Sequence, residues 1–90
     1  MIWRIVITPG AERDFTRFQL HEKQRIKNRL YQLAEEPHPR RHLKKLKGHQ
    51  DSPLYSLRVG RFRILLALED DTLVIIVIEI GDRRNIYKSY

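Results

Sequence analysis

Hydrophobic and polar positions along the 90 residues follow two different periods. At the start, Ile2-Trp3-Arg4-Ile5-Val6-Ile7 is apolar and β-branched, with Trp3, Ile5 and Ile7 on one face, and predicts a strand. The period then becomes helical: Phe15 and Phe18 stand three apart, and Ile26, Leu30 and Leu33 recur at helical spacing. A helical region over about residues 9–35 is expected, bent or broken near Leu20-His21. Thr8-Pro9 suits its start, with Thr8 as N-cap acceptor and Pro9 at the first position, where no N–H is needed. Glu12 follows near the positive end of the helix dipole. Glu36-Pro37-His38-Pro39 ends the region, because a residue preceding proline avoids helical backbone. A loop rich in Lys, Arg and His then runs to about Pro53.

Three strands follow: Leu54 to Val59, Phe62 through Glu69, and Leu73 to Ile80, the last two joined by an Asp70-Asp71 turn. The last is apolar on both faces, as a central strand covered on both sides would be. Gly81 is expected to close it, leaving a short polar tail. The order β-α-(α)-β-β-β predicts a single α+β domain over residues 1–90. In it an N-terminal helical hairpin packs on one face of a small antiparallel sheet.

The hairpin at Gly60-Arg61 permits finer arithmetic. Glycine as first central residue of a two-residue loop is type II′ chemistry, which sets Val59 opposite Phe62 and Arg58 opposite Arg63. Alternation sends Tyr55, Leu57, Val59, Phe62 and Ile64 to the core. Arg58 and Arg63 then share the other face as directly opposed like charges, an arrangement that disfavours the hairpin by several tenths of a kcal/mol. Two adjacent guanidiniums suit an anion, since each presents a fork of donors to phosphate oxygens.

Charge sharpens the picture. The net +7 is not spread along the chain: residues 40–63 hold eight basic side chains and only Asp51, whereas residues 1–39 balance at +2 and residues 64–90 at −2. Such concentration fits a polyanion partner. There is no cysteine, which excludes disulfide scaffolds, iron–sulfur clusters, cysteine-ligated zinc and thiol nucleophiles. His38, His42 and His49 share one loop but sit among cations without an obvious carboxylate, and are read first as surface side chains, next as RNA contacts and only last as metal ligands. The longest apolar run, Leu73 to Ile78, is too short to span a bilayer, and no secretory signal is visible. A cytoplasmic domain without membrane contact is expected.

Three segments carry a family resemblance through their order and spacing. They are Lys45-Leu46-Lys47-Gly48, Leu54-Tyr55-Ser56-Leu57-Arg58-Val59-Gly60-Arg61-Phe62-Arg63-Ile64, and Val77-Ile78-Glu79-Ile80-Gly81-Asp82-Arg83-Arg84-Asn85-Ile86-Tyr87. Together they resemble the RelE branch of the RelE/ParE toxin superfamily, over essentially the whole chain. The resemblance implies the toxin of a type II toxin–antitoxin system, an endoribonuclease that enters the ribosomal A site and cleaves mRNA without metal or cofactor. The RNA's own 2′-hydroxyl would attack and leave a 2′,3′-cyclic phosphate.

By the same resemblance Arg58 and Arg63 serve the scissile phosphate, Arg83 is a further arginine of the site, and Tyr87 stacks on or orients the attacked nucleotide. Arg40, Arg41, Lys44, Lys45, Lys47, Arg61 and Arg84 are the residues expected to contact RNA or the ribosome. Two positions depart from the pattern: Ser56 stands where some relatives have lysine, and Asp82 where many have histidine, so no proton-transferring group is assigned. The implied partners are a small acidic RelB-like antitoxin, the 70S-type ribosome with mRNA, and operator DNA only through the antitoxin complex. The alternatives are a ParE-like inhibitor of DNA gyrase without nuclease activity and a catalytically weakened RNA-binding relative.

Overall fold

The computed structural model of the protein describes residues 2–46 and 53–82. Strand β1 (Arg4–Ile7) leads into helices α1 (Pro9–Phe15) and α2 (Leu20–Ala34). A 3₁₀ turn (Pro39–His42) then precedes strands β2 (Lys44–Lys45), β3 (Tyr55–Val59), β4 (Phe62–Glu69) and β5 (Val74–Asp82). The strands form one sheet in the order β1-β5-β4-β3-β2. The expected α+β class and element order hold, with both helices on one face.

Three features differ from the sequence reading. The sheet is mixed rather than antiparallel, because β1 pairs in parallel with β5, Ile5 opposite Ile75 and Ile7 opposite Val77. Periodicity identifies a strand but not its neighbour, so the N-terminal strand's place beside the C-terminal one was not readable. Second, Lys44 and Lys45 lie not in a loop but in a two-residue edge strand, opposite Ser56 and Tyr55. Third, β5 does not stop at Gly81 but runs to Asp82, which pairs with Phe62.

The helical break falls at residues 16–19, earlier than expected. There the Gln19 amide donates to Glu22 Oε1 at 3.0 Å, reaching back across the first turn of α2 as in a capping box. Ile26, Leu30 and Leu33 are essentially inaccessible and form the buried stripe of α2. They pack with Trp3, Phe15, Tyr55, Leu57, Phe62, Ile64, Leu66, Ile75 and Val77 in one core cluster. A register shift between Leu65 and Leu66 leaves Ile78 as the extra residue of β5. No helix among the described residues is long and apolar enough to cross a membrane.

Two polar devices tie this core together. Thr8 accepts from the Ala11 amide at 3.3 Å as N-cap of α1, while its own hydroxyl donates to the Val77 carbonyl at 2.9 Å. Its amide donates to the same carbonyl at 3.1 Å. One side chain thus starts the helix and pins it to β5 at the bulge. The second device is Arg40, whose Nη1 and Nη2 donate to the two oxygens of Asp70 at 2.6 and 2.7 Å while Nε donates to the Tyr55 hydroxyl at 2.9 Å. It fastens the 3₁₀ turn to the β4–β5 turn across the end of the sheet.

Thr8→Ala is expected to destabilise the fold by about 0.5–2 kcal/mol, the range for a lost cap, and Thr8→Ser to recover most of it. Urea unfolding of the three proteins measures this. The Arg40 guanidinium also holds the Asp70 carboxyl below its ordinary pKa. A carboxyl lowered on folding stabilises the fold above its unfolded pKa of about 3.9, and the contribution is lost as pH falls through the lowered folded value. Asp70→Asn should therefore lower the melting temperature at neutral pH, with a gap to wild type that closes on acidification. A gap independent of pH would assign Asp70 no electrostatic role.

Candidate functional site

The β3–β4 hairpin turns at Gly60-Arg61, and Gly60 has φ +57°, the backbone region that L residues avoid. The register is the one read from the sequence: Val59 opposite Phe62, Arg58 opposite Arg63, Leu57 opposite Ile64. Tyr55, Leu57, Val59, Phe62 and Ile64 are all buried on the helix side. Arg58 and Arg63 stand on the opposite face, Arg58 exposed and Arg63 half-buried. On the far side of Arg63 the neighbouring position in β5 is Gly81, which adds no side chain to crowd that face.

One row along the same face, Lys44, Ser56, Leu65 and Glu79 align across β2, β3, β4 and β5. Lys44 therefore shares the arginine face. Lys45, opposite Tyr55, belongs to the other side of the pleat, so the structure separates two lysines that the sequence reading grouped. Ser56 is buried, with 4% of its surface exposed. Glu79 is a carboxylate on this face that the sequence reading passed over, because it sits in an otherwise apolar strand.

The remaining cations fall into distinct environments. Arg40 is committed to Asp70 and Tyr55, and those bonds hold its guanidinium still more firmly in the charged form. Arg61 donates to Glu22 Oε2 at 2.9 Å and lies over the Phe62 ring, 4.9 Å from its centroid. Arg41 is exposed on the 3₁₀ turn. Lys47, Arg83, Arg84 and Tyr87 lie outside the described residues. His42 has a carboxylate neighbour that the sequence did not reveal: its Nε2 is 3.6 Å from Glu36 Oε1.

Two arginines of α2 enter the picture only in three dimensions. Arg25 and Arg29, with Asn28 and Gln32, line a groove of about 310 Å³ whose other wall is Arg58, Val59 and Gly60. The sequence signal was their spacing of four, which places both on one helical face. What it lacked was the identity of the strand end that this face meets. Chemically, guanidiniums on the hairpin face and along this groove are donors of the kind that suits phosphate oxygens.

Comparison with known proteins agrees with this architecture. The chain matches the family described as the ParE toxin of the parDE type II toxin–antitoxin system over residues 5–87. Curated protein sequences yield no match. Among solved structures, the archaeal RelE–RelB complex from Pyrococcus horikoshii superposes with a TM-score of 0.77 at 24% identity, covering 94% of this chain and 99% of that one. The RelB–RelE complex from Methanococcus jannaschii gives 0.71 at 25% identity, covering 94% and 98%. The intact RelBE complex of E. coli gives 0.72 at 20% identity, covering 89% and 95%. The chain belongs to the ParE toxin family of type II toxin–antitoxin systems, within the RelE/ParE superfamily.

Proposed function

We propose that this toxin is a ribosome-dependent, metal-independent mRNA endoribonuclease acting in the ribosomal A site, and that it thereby inhibits translation in the cytoplasm. The observation that carries this reading is the opposed Arg58–Arg63 pair beside Gly81, on the sheet face away from the helices. Like charges at directly opposite positions weaken a hairpin, so a bound anion relieves a repulsion already built into the strands.

In the reaction, the 2′-oxygen of the message attacks the adjacent phosphorus, forming the cyclic diester while the P–O5′ bond breaks. The proton leaves the 2′-hydroxyl, and one is delivered to the 5′-oxygen. Arg58 and Arg63 stabilise the charge that builds on the phosphoryl oxygens. Arginine is always protonated and does not shuttle protons, so its part is electrostatic. Arg83 is bonded directly to Asp82, which pairs with Phe62 at the turn end of the hairpin. That covalent link supports assigning Arg83 and, beyond it, Tyr87 to the same phosphate and its nucleotide. The ribosome supplies substrate positioning, which is worth roughly 7–11 kcal/mol of a barrier.

Arg41, Lys44, Lys45, Lys47 and Arg84 would contact ribosomal RNA or the message. Arg61 could join them only by giving up Glu22, and Arg40 only by giving up Asp70. The solved relatives named above are RelE–RelB complexes, which supports a small acidic RelB-like antitoxin as partner here, with operator DNA contacted through that complex. A second reading is favoured by the family match itself, which names ParE: inhibition of DNA gyrase on the same fold, without nuclease activity.

Programmed ribosomes with a defined A-site codon separate the two. Purified toxin should cut the message to ends bearing 2′,3′-cyclic phosphate, and addition of EDTA to the toxin before mixing should not reduce this. Arg63→Ala should slow single-turnover cleavage by about 10²–10³-fold, as for removal of one transition-state donor. An Arg63→Ala protein cutting at the wild-type rate would sink the phosphate clamp. Uncut message with blocked gyrase supercoiling would favour the second reading.

A further inference from the structure

We propose that the groove between α2 and the Gly60 turn is a second phosphate-binding site, holding the backbone of single-stranded RNA beside the Arg58–Arg63 pair. The inference rests on the reading of RNA as the toxin's ligand but not on cleavage. Its α2 wall carries two guanidiniums and two amides, Arg25, Arg29, Asn28 and Gln32, and the facing wall is the end of β3 at Arg58, Val59 and Gly60. The volume, about 310 Å³, is at the small end for ligand sites, and this polar lining suits a phosphodiester better than an apolar molecule.

The charges in this groove are arranged rather than balanced. Arg25 and Arg29 stand four apart on the helix, a like-charge spacing that costs a few tenths of a kcal/mol. Among the described residues, no carboxylate lies within ion-pairing distance of Arg25, Arg29 or Arg58. The acid one turn before Arg25 is Glu22, and both its oxygens are engaged, one by the Gln19 amide and the other by Arg61. Neighbouring acid is thus consumed outside the groove, and the guanidiniums within it keep their full field.

Gly60 shapes the site as well as the turn. A Cβ placed there would stand 3.1 Å from Arg25 Nη1 and 3.3 Å from its Cζ, so the bare glycine lets the guanidinium lie against the backbone. The hairpin adds a backbone donor. With Val59 and Phe62 closing the two-residue turn, the amide of Arg58 points away from β4, toward the outer edge of β3. At that edge β2 pairs only with Tyr55 and Ser56. Arg58 lines the groove from the end of β3 while its side chain stands on the clamp face, so one RNA strand can pass from the proposed clamp around the outer edge of β3 into the groove. An acidic protein segment could use the same guanidiniums. Continuity with the clamp, and amides able to meet 2′-hydroxyls and base edges, favour RNA.

Fluorescence anisotropy with a fully 2′-O-methylated single-stranded RNA, which cannot be cleaved, tests this on the whole chain. Arg25→Ala and Arg29→Ala should each weaken binding about 10-fold or more, as for a charged hydrogen bond to phosphate. Each should also reduce the slope of log K against log salt concentration by about 0.7, one single-strand phosphate contact. Arg4→Ala, which removes the same charge at the opposite edge of the sheet, is the control. Equal losses for Arg4→Ala would overturn the groove in favour of bulk charge. Unchanged RNA affinity in the α2 variants, with weakened binding of polyglutamate, would also overturn it. Groove-dependent binding by a protein that cuts no message would refute only the nuclease reading.

Discussion

The two-residue turn at Gly60-Arg61 is the constraint on which the rest of the molecule hangs. Its positive φ closes the hairpin with Val59 opposite Phe62, and that pairing assigns every residue of β3 and β4 to a face. A slip of one residue would turn Tyr55, Leu57 and Val59 to solvent and press Arg58 into the core. Burial of one large apolar side chain is worth about 1.5–3 kcal/mol, while an opposed like-charge pair costs roughly 0.2–1 kcal/mol. The core therefore wins the register outright, and the arginine pair is carried along as a consequence. The same glycine also leaves the space against which Arg25 rests, so turn, core and basic surface share one backbone conformation.

The acidic side chains divide the arginines into two populations. Asp70 takes Arg40 and Glu22 takes Arg61, and each pair joins elements distant in sequence: the 3₁₀ turn to the β4–β5 turn, and the hairpin loop to the start of α2. Both are exposed enough for water and salt to screen them, so their main effect is to fix geometry. Arg25, Arg29 and Arg58 belong to the other population, with no carboxylate at ion-pairing distance among the described residues. A count of charges along the chain merges the two groups. The dense basic segment from residue 40 begins with an arginine used as a structural clamp, and part of the basic groove comes from a helix outside that segment.

This explains what could be read in advance. The hairpin was legible residue by residue because its signals are local: a glycine-containing turn flanked by alternating apolar positions fixes pairing without reference to the rest of the chain. Phe62 through Glu69 came out as written, and Thr8 capped its helix as its chemistry requires. Non-local facts were not legible. Parallel pairing of β1 with β5, the edge strand at Lys44–Lys45 and the bond from Arg40 to Asp70 each join residues separated by loops or whole elements. The helical break was signalled by Gln19 and Glu22, three apart, but a polar pair within a polar stretch is easily passed over.

The site differs from the fold in what holds it. Arg58 and Arg63 project from paired strands whose other faces are locked into the core, and Arg25 and Arg29 from a helix anchored by Ile26, Leu30 and Leu33. Repulsion among these cations cannot relax by moving the backbone without disturbing that packing. It can relax by side chains splaying into solvent, or by an anion entering between them. In the proposed phosphate sites, a rigid scaffold would convert this like-charge repulsion, small beside the burial that outweighs it, into affinity for an anion, with little reorganisation required when the ligand arrives. Electrostatic preorganisation of this kind needs neither metal nor cofactor, and it does not itself move a proton. On this face the described carboxylate is Glu79, one row along β5 from Gly81 and therefore diagonal to Arg63. The strand order that puts β5 beside β4 is what brings an acid and the arginine pair onto a single surface.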